Sequence, residues 1–576
     1  MTRRRLSSAL QLEFDQFVLL SRDSIHSLLN AALVSRDGDP SQFALWSLVL
    51  VAMPPAMYAF RQLVNYSALG FQKAVIIEHA IQVDRMFFLL YGMLVAALVA
   101  AATWEALLPN RTDQEIVGSL PVRPRTFAAA RLTAAICTAV IASATVSLPA
   151  AAFLAVAAPS HPALGFFPVV FIAHVVSTMG ASVFLCVLLL VFRALLSLCF
   201  GAHISERLGT LLQLVTIAGL AEVFFFIPGV IPALVDRLAA GDRAAFLIPS
   251  MPFAALYAWL VGLNYPSLTL GALLAPLLLI ASVAIVIPIY LCPARLFARR
   301  ALESQPRQHV GVLSTLAGVA AVALPSSPAV RSITRFTITT LLRSRRHRLM
   351  VTAYLGVALA IGTVSVIAGG LRGTIAFDRP ETSLLAVPLV TMFFLTLGLR
   401  AAYLVPSDVD ANWIFRLRQP SVMPAVDATA VSLLVLSVVP IGILGMAIAL
   451  LLGWNRHDAA LIAVLDIVSG IVLVEWILRD YRSVPFTCAR SGDVEALKSR
   501  WLGQIIPLLL FAFVNAAIQN RVVLSNPAVA SYLGIAVGAA TIQRLRRRST
   551  TRHVNVLFDA PSSDTLATLG LSEAIG

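Results

Sequence analysis

Apolar runs of about 20 residues recur along this chain, and no motif in it constrains the fold as strongly. A run of that length crosses a hydrocarbon core of roughly 30 Å at 1.5 Å rise per residue. Because lipid satisfies no peptide group, it must do so as a helix. The runs place twelve spans at 42–60, 86–104, 132–157, 165–192, 208–234, 267–291, 349–371, 383–405, 427–452, 459–478, 502–519 and 528–543. No alternation of the β-barrel kind is visible. With 59% hydrophobic and 12% charged residues, the chain lies far from the roughly 25% charged residues of soluble domains. It reads as an all-α polytopic membrane protein.

Charge sets the expected orientation. With both termini cytoplasmic, all but nine of the 43 lysines and arginines fall inside, the nine being Arg61, Lys73, Arg85, Arg237, Arg243, Arg372, Arg379, Arg456 and Arg521. An asymmetry of this size supports the orientation and the even span count together. The net charge of +14 is then mostly an inner face against anionic headgroups. It is not a nucleic-acid surface, which would need a soluble basic domain. Cys137, Cys186, Cys199, Cys292 and Cys488 lie in or beside apolar runs without CxxC spacing and read as small core residues.

Residues 1–41 are polar and basic, with Leu6, Leu10, Phe14, Phe17, Ile25 and Leu28 at roughly helical spacing. An amphipathic helix on the membrane surface fits them better than a cleaved signal. Residues 42–291 form a first six-span half and 349–543 a second. The tail, 544–576, starts with arginines that anchor the last span inside, and its VNVLFD could add a short strand to a partner's sheet edge. The connection 292–348 is the longest on the inside. Its arginines fit a solvated linker; equally, Arg331, Arg335 and Arg346 can share one helical face opposite Ile333 and Phe336, giving a second amphipathic surface helix.

Between the second and third spans lies the least lipid-like short insert, residues 104–131, WEALLPNRTDQEIVGSLPVRPRTFAAAR. A short helix between Pro109 and Pro121, with Asp113 and Glu115 in its first turn, would give a transport motor a rigid cytoplasmic feature to push on. Ile116, Val117 and Leu120 could seat in a groove of that partner. An ordinary re-entry turn, whose prolines only end and start helices, accounts for the same residues. A shift of 297 positions lays LLPNRTDQEIVGSL over LVPSDVDANWIFRL, with Pro109 on Pro406, Asp113 on Asp410, Ile116 and Val117 on Trp413 and Ile414, and Leu120 on Leu417. Both segments follow the second span of their half.

The run DRMFFLLYGMLVAALVAAATWEALLPNRTDQEIVGSLPVRPRTFAAARL resembles the second span and first intracellular loop of type-2 ATP-binding-cassette exporter permeases, especially a poorly characterised bacterial group. LRAAYLVPSDVDANWIFRL is similar to the corresponding loop of that group's second half. Elsewhere the likeness is architectural. It implies halves built of an amphipathic connecting helix, six spans, a coupling loop between spans two and three, and an outer, partly re-entrant segment between spans five and six. It also implies a bacterial plasma membrane and outward movement of a hydrophobic or amphipathic substrate. Residues 236–266, apolar and proline-broken, supply an outer segment for the first half, whereas the second half has only the short link 520–527. On this reading Pro109, Asp113, Glu115, Ile116, Val117, Leu120, Pro121, Asp410, Trp413 and Ile414 belong to the coupling loops. No GxxxxGK[ST] occurs, so ATP and magnesium would be bound by separate P-loop ATPase subunits, two of them for a chain that fuses two halves. This chain would then carry neither catalytic residues nor a cofactor.

Ionisable groups within spans are the remaining signal of a site. Glu222, near mid-depth, could contact substrate or a proton, or be a neutral acid hydrogen-bonded to a neighbouring helix. Asp466 fits snorkelling or helix packing, Glu475 a local pair with Arg479 four residues on, Arg400 snorkelling, and His174 packing. No other His, Cys or carboxylate stands at metal-ligand spacing with His174, and no serine, histidine and acid set is placed by a motif. An ion-coupled secondary transporter stays open as a second class, although it predicts a glycine-rich, basic GxxxDRxGRR turn where LPNRTDQEIVGSLPVRPR stands. A non-transporting membrane scaffold is the third.

Overall fold

The computed structural model describes residues 11, 13–25, 40–68, 74–104, 107–108, 111–157, 166–263, 266–303, 327–371, 377–407, 422–479, 481–487, 505–523 and 525–551. Among these residues no strand occurs, and nine helices are long and apolar enough to cross a membrane. The protein is therefore all-α and polytopic. The chain divides into two compact units, Met1–Val34 with Gly38–Arg307 and Ser35–Asp37 with Gln308–Gly576. The boundary falls inside the basic connection 292–348.

In the first unit, α1 covers residues 13–25, followed by α2 (Pro40–Ala68), α3 (Ala74–Thr103), the seven-residue α4 (Arg111–Val117), α5 (Pro124–Ala157) and α6 (Phe167–Ala239). α7 (Met251–Leu260), α8 (Pro266–Leu291) and α9 (Ala294–Glu303) complete it. Its 73 residues would make a straight α6 roughly 110 Å long. Instead α6 doubles back. Near its start, the His174 ring lies 5.4 Å from Phe88 on α3; near its end, Asp236 meets His79 on the same helix at 3.2 Å. The turn falls between Ala194, which packs in one cluster with Ala100 and Trp104, and Gln213, whose Nε2 donates to Ala101 O at 2.6 Å. The two limbs carry the predicted spans 165–192 and 208–234.

α3 shows a difference from the sequence reading. The predicted span 86–104 left Asp84 and Arg85 outside, but the apolar stretch long enough to span is Glu78–Ala101, and both residues are buried within it. Between α6 and α8 the chain does not simply return. Gly241 (φ 71°) and Gly262 (φ 100°) use the left-handed backbone that glycine adopts without steric cost, and bracket α7. Met251, Phe253, Ala255 and Tyr257 on that helix are all buried. The predicted outer segment 236–266 thus holds a short apolar helix packed on α3, α6 and α8.

The second unit consists of α10 (Pro328–Arg343), α11 (Arg345–Leu371), α12 (Thr382–Tyr403), α13 (Val422–Leu451), α14 (Arg456–Ile477), α15 (505–522) and α16 (Asn526–Thr551). Ser327 caps α10, its hydroxyl accepting from Val330 N, and Ile333, Thr334, Thr337 and Leu341 form the buried face. Arg331 and Arg335 stay exposed. Arg346 does not continue their face, because the chain leaves helical geometry at Ser344 and Arg346 lies in the first turn of α11. Single π turns widen α13 at Leu434–Val438 and α15 at Leu509–Val514. The link between α15 and α16 is short, so among the described residues the unit shows no counterpart of α7 between its last two helices.

The remaining predicted spans coincide with α2, the second limb of α6 and α15, which are helical but fall outside the nine.

Helix packing in the second unit is closest where α14 presents Gly470. A Cβ there would fall 2.5 Å from both Met392 Sδ and Val438 Cγ1, and the β-branched valine has no flexible end to move aside. Gly470→Val should cost about 1–3 kcal/mol by overpacking and lower the thermal midpoint of the detergent-purified protein. An unchanged midpoint would contradict this packing.

Candidate functional site

The insert of the first unit is seated from below and bare on top. Trp104 is fully buried at its root. Arg131, on the first turns of α5, clamps it twice: Nη2 meets Asp113 Oδ2 at 2.7 Å and Nη1 donates to Leu108 O at 3.0 Å. The same guanidinium lies over the Phe127 ring at 4.5 Å. Asp113 also stands in the first turn of α4, where the exposed N–H groups favour a negative charge. The helix closes at Gly118, whose N–H bonds to Gln114 O at 3.0 Å. A Cβ on Gly118 would meet that oxygen at 2.2 Å, so glycine is required there.

Roles within the predicted set therefore separate. Asp113 is an anchor, partly covered by Arg131, and Val117 is half-buried. Glu115 and Pro121 are exposed, as are Ile116 at 63% and Leu120 at 52%. Ile116 on the clamped helix and Leu120 in the turn that follows it form an apolar ridge. α1 lies alongside: Gln16 Nε2 donates to Pro121 O at 3.4 Å, and Glu13 pairs with Arg123 at 2.6 Å. The second contact is solvent-exposed and adds little stability. Beneath α4, Gln114, Phe127, Tyr290 and Phe297 line a small gap that joins it to α5, α8 and α9. Pro109 lies outside the described residues.

Asp410, Trp413 and Ile414 also lie outside the described residues, but the root of the second insert is described. His347 at the start of α11 donates through Nε2 to Val405 O at 2.9 Å. A carbonyl only accepts, so Nε2 carries the proton. Phe486 N donates to Tyr403 O at 2.8 Å, and Ser407 N to Phe486 O at 3.3 Å. Phe486 adopts φ 66°, a left-handed backbone that costs a bulky residue energy. It is held there by the His347 ring at 4.6 Å and the Tyr403 ring at 5.3 Å. Leu108 and Val405 are related by the same 297-residue shift, and in each unit that carbonyl accepts a hydrogen bond from a nitrogenous side chain of another helix.

Several buried polar groups were not legible as sites. Asp84 accepts from Tyr58 at 2.7 Å, from Gln62 at 3.2 Å and from Tyr66. The signal was present in the sequence, since three polar residues four apart put one polar stripe on α2. Beside it, Arg85 lies 4.9 Å over the Tyr257 ring, whose hydroxyl is 3.3 Å from His174 Nδ1. His174 is thus a packing residue between Phe88 and Tyr257, as expected. Glu222 lies half-buried on the second limb of α6. Asp466, 1% exposed, accepts from Gln519 Nε2 at 3.2 Å, which makes it a helix-packing residue.

The local pair expected between Glu475 and Arg479 is not the one formed. Glu475 Oε2 meets Arg547 Nη1 at 2.9 Å, and Arg547 Nη2 meets Asp427 at 3.1 Å, while Arg479 lies 5.7 Å over Trp476. A buried tertiary partner outcompetes an exposed neighbour one turn away because the carboxylate is out of water and needs a charge beside it. Among the described residues no group of three His, Cys, Asp or Glu side chains is placed to hold a metal.

Compared with protein-family models, curated proteins and solved structures, the chain matches none.

Arg131→Ala removes the clamp from both α4 and the Leu108 carbonyl. Amide hydrogen exchange should accelerate across 111–120 while exchange within α3 and α5 stays slow. Unchanged protection of 111–120 would show that the seat is held by other contacts.

Proposed function

We propose that this chain is the membrane-spanning permease subunit of an ATP-binding-cassette exporter, with twelve spans in two fused halves and both termini cytoplasmic. It works in a bacterial plasma membrane and moves a hydrophobic or amphipathic substrate outward. Separate P-loop ATPase subunits, two per chain, bind ATP and magnesium and drive it. The observation that carries this reading is the clamped α4 with Ile116 and Leu120 exposed at 63% and 52%. Exposed aliphatic residues on a fixed seven-residue helix and in the turn closing it are a poor solution for a link that only joins two spans. They suit a ridge that enters a partner's groove. The likeness of the two inserts to coupling loops supports the same reading, and nucleic acid has no place in it.

The buried charges give a second reading some ground. Asp84, Arg85 and Asp466 inside helices are the kind of groups that an ion-coupled carrier uses. Both readings have the substrate cross the membrane; they differ in what supplies the energy.

The deciding experiment uses the full chain reconstituted with the P-loop ATPases encoded beside its gene. A stable complex with ATP-dependent export is expected. Glu115→Ala with Ile116→Ala should leave insertion and the ATPase's own turnover intact while export falls by on the order of tenfold or more. Transport driven by a proton gradient alone, with no complex formed, would establish the carrier reading instead.

A further inference from the structure

With Asp466 ionised, the hydrogen bonding around it does not close. Asp466 stands in the middle of α14 and Gln519 on α15, both buried. Gln519 Nε2 donates to Asp466 Oδ1 at 3.2 Å. Among the described residues that N–H is the one donor the carboxyl group receives, and no cation pairs with it. Asp84, buried in the first unit, collects three donors, from Tyr58, Gln62 and Tyr66.

The second irregularity is Gln519 Oε1, which is buried without a hydrogen-bond partner among the described residues. It belongs to the same amide whose nitrogen already meets the acid. A carboxylate has acceptors only and cannot serve it, whereas a carboxylic acid carries an O–H that can. Turning the amide by half a rotation does not remove the need. Oε1 would then face Asp466 Oδ1, and two acceptors meet only with a proton between them. A water molecule or a metal ion would need room, and Oε1 offers them no surface. A proton needs none.

No neighbouring charge takes the place of that proton. On α14 the nearest charged residues, Asp458 and Glu475, stand about two turns or more away. On α15, Asn515 and Gln519 are neutral, and Arg521 is exposed. α13 brings Gly445, where an added Cβ would lie 4.0 Å from Asp466 Oδ2 and 3.6 Å from Pro388 of α12. From α16 the titratable group is Tyr532, whose hydroxyl donates to Asn515 Oδ1 at 2.6 Å and lies 2.6 Å from that of Ser469. Arg400 on α12, Asp427 on α13 and Arg544 on α16 are each about three turns or more from Pro388, Gly445 and Tyr532. Glu381, before α12, pairs with Arg379 at 3.8 Å.

We propose that Asp466 is a proton-binding site: in the folded protein it is a carboxylic acid whose O–H is donated to the amide of Gln519, so that α14 and α15 are joined by a neutral pair. Acid and amide each offer one donor and one acceptor, and the pair satisfies both. Ionisation in place would strand a charge in hydrocarbon beside a single N–H, so the proton leaves only when α14 and α15 part. The site does not depend on what energises the chain.

The test records infrared spectra of the full chain in vesicles at neutral pH, wild type minus Asp466→Asn. The difference should contain the carbonyl stretch of a carboxylic acid, above the amide band, and the stretch should move when the aspartates carry an isotopic label in the carboxyl group. The paired stretches of a carboxylate in its place would overturn the proposal. Gln519→Leu should keep the acid band and raise its frequency, because the variant removes the N–H from the acid's carbonyl. This second readout holds even if Asp466→Asn fails to fold. An acid band that Gln519→Leu leaves unmoved would place the proton on another carboxyl group and overturn the proposal likewise.

Discussion

Hydrocarbon offers no hydrogen bond, and most of what is particular in this structure follows from that single lack. Hydroxyls within the spans can turn back to a carbonyl of their own helix, but the buried acids find donors on other helices, and each such partner constrains how two helices lie together. Asp84 fixes α2 on α3 through three donors. Asp466 joins α14 to α15 through Gln519, and Arg547 ties α16 to both α13 and α14. Apolar contacts alone would leave such helices free to slide, because a lipid tail is as good a neighbour as a leucine. The polar contacts select the register.

The same requirement shapes the places where helices end. Past the last turn of a helix the chain's carbonyls need donors from elsewhere, and at the two inserts these come from side chains of other helices. Arg131 answers Leu108 in one unit and His347 answers Val405 in the other. The donors come from different helices, α5 and α11, so the two units meet one backbone need with different side chains.

Much of the architecture was legible in the sequence for a simple reason: a span announces itself by length and hydropathy, both properties of one segment. The polar insert at 104–131 was legible for the converse reason. What escaped were relations between segments. A hydropathy window ends at Asp84 and Arg85 because it scores their charge and cannot see the stripe of Tyr58, Gln62 and Tyr66 waiting one helix away. Glu475 was matched to Arg479 because spacing rules consider one helix at a time, and the true partner, Arg547, lies on the last helix. Likewise, the residues of α4 suggested a short helix with Ile116 and Leu120 turned toward a partner, but nothing in them indicated that Asp113 would face inward to Arg131.

That division between an inward acid and an outward ridge has a mechanical consequence. Arg131 grips α4 through its aspartate and grips the chain leaving α3 through a carbonyl, with its own backbone rooted in α5. A load applied at Ile116 is thus shared between two long levers instead of being absorbed by a hinge. Any displacement of α4 therefore carries the ends of α3 and α5 with it.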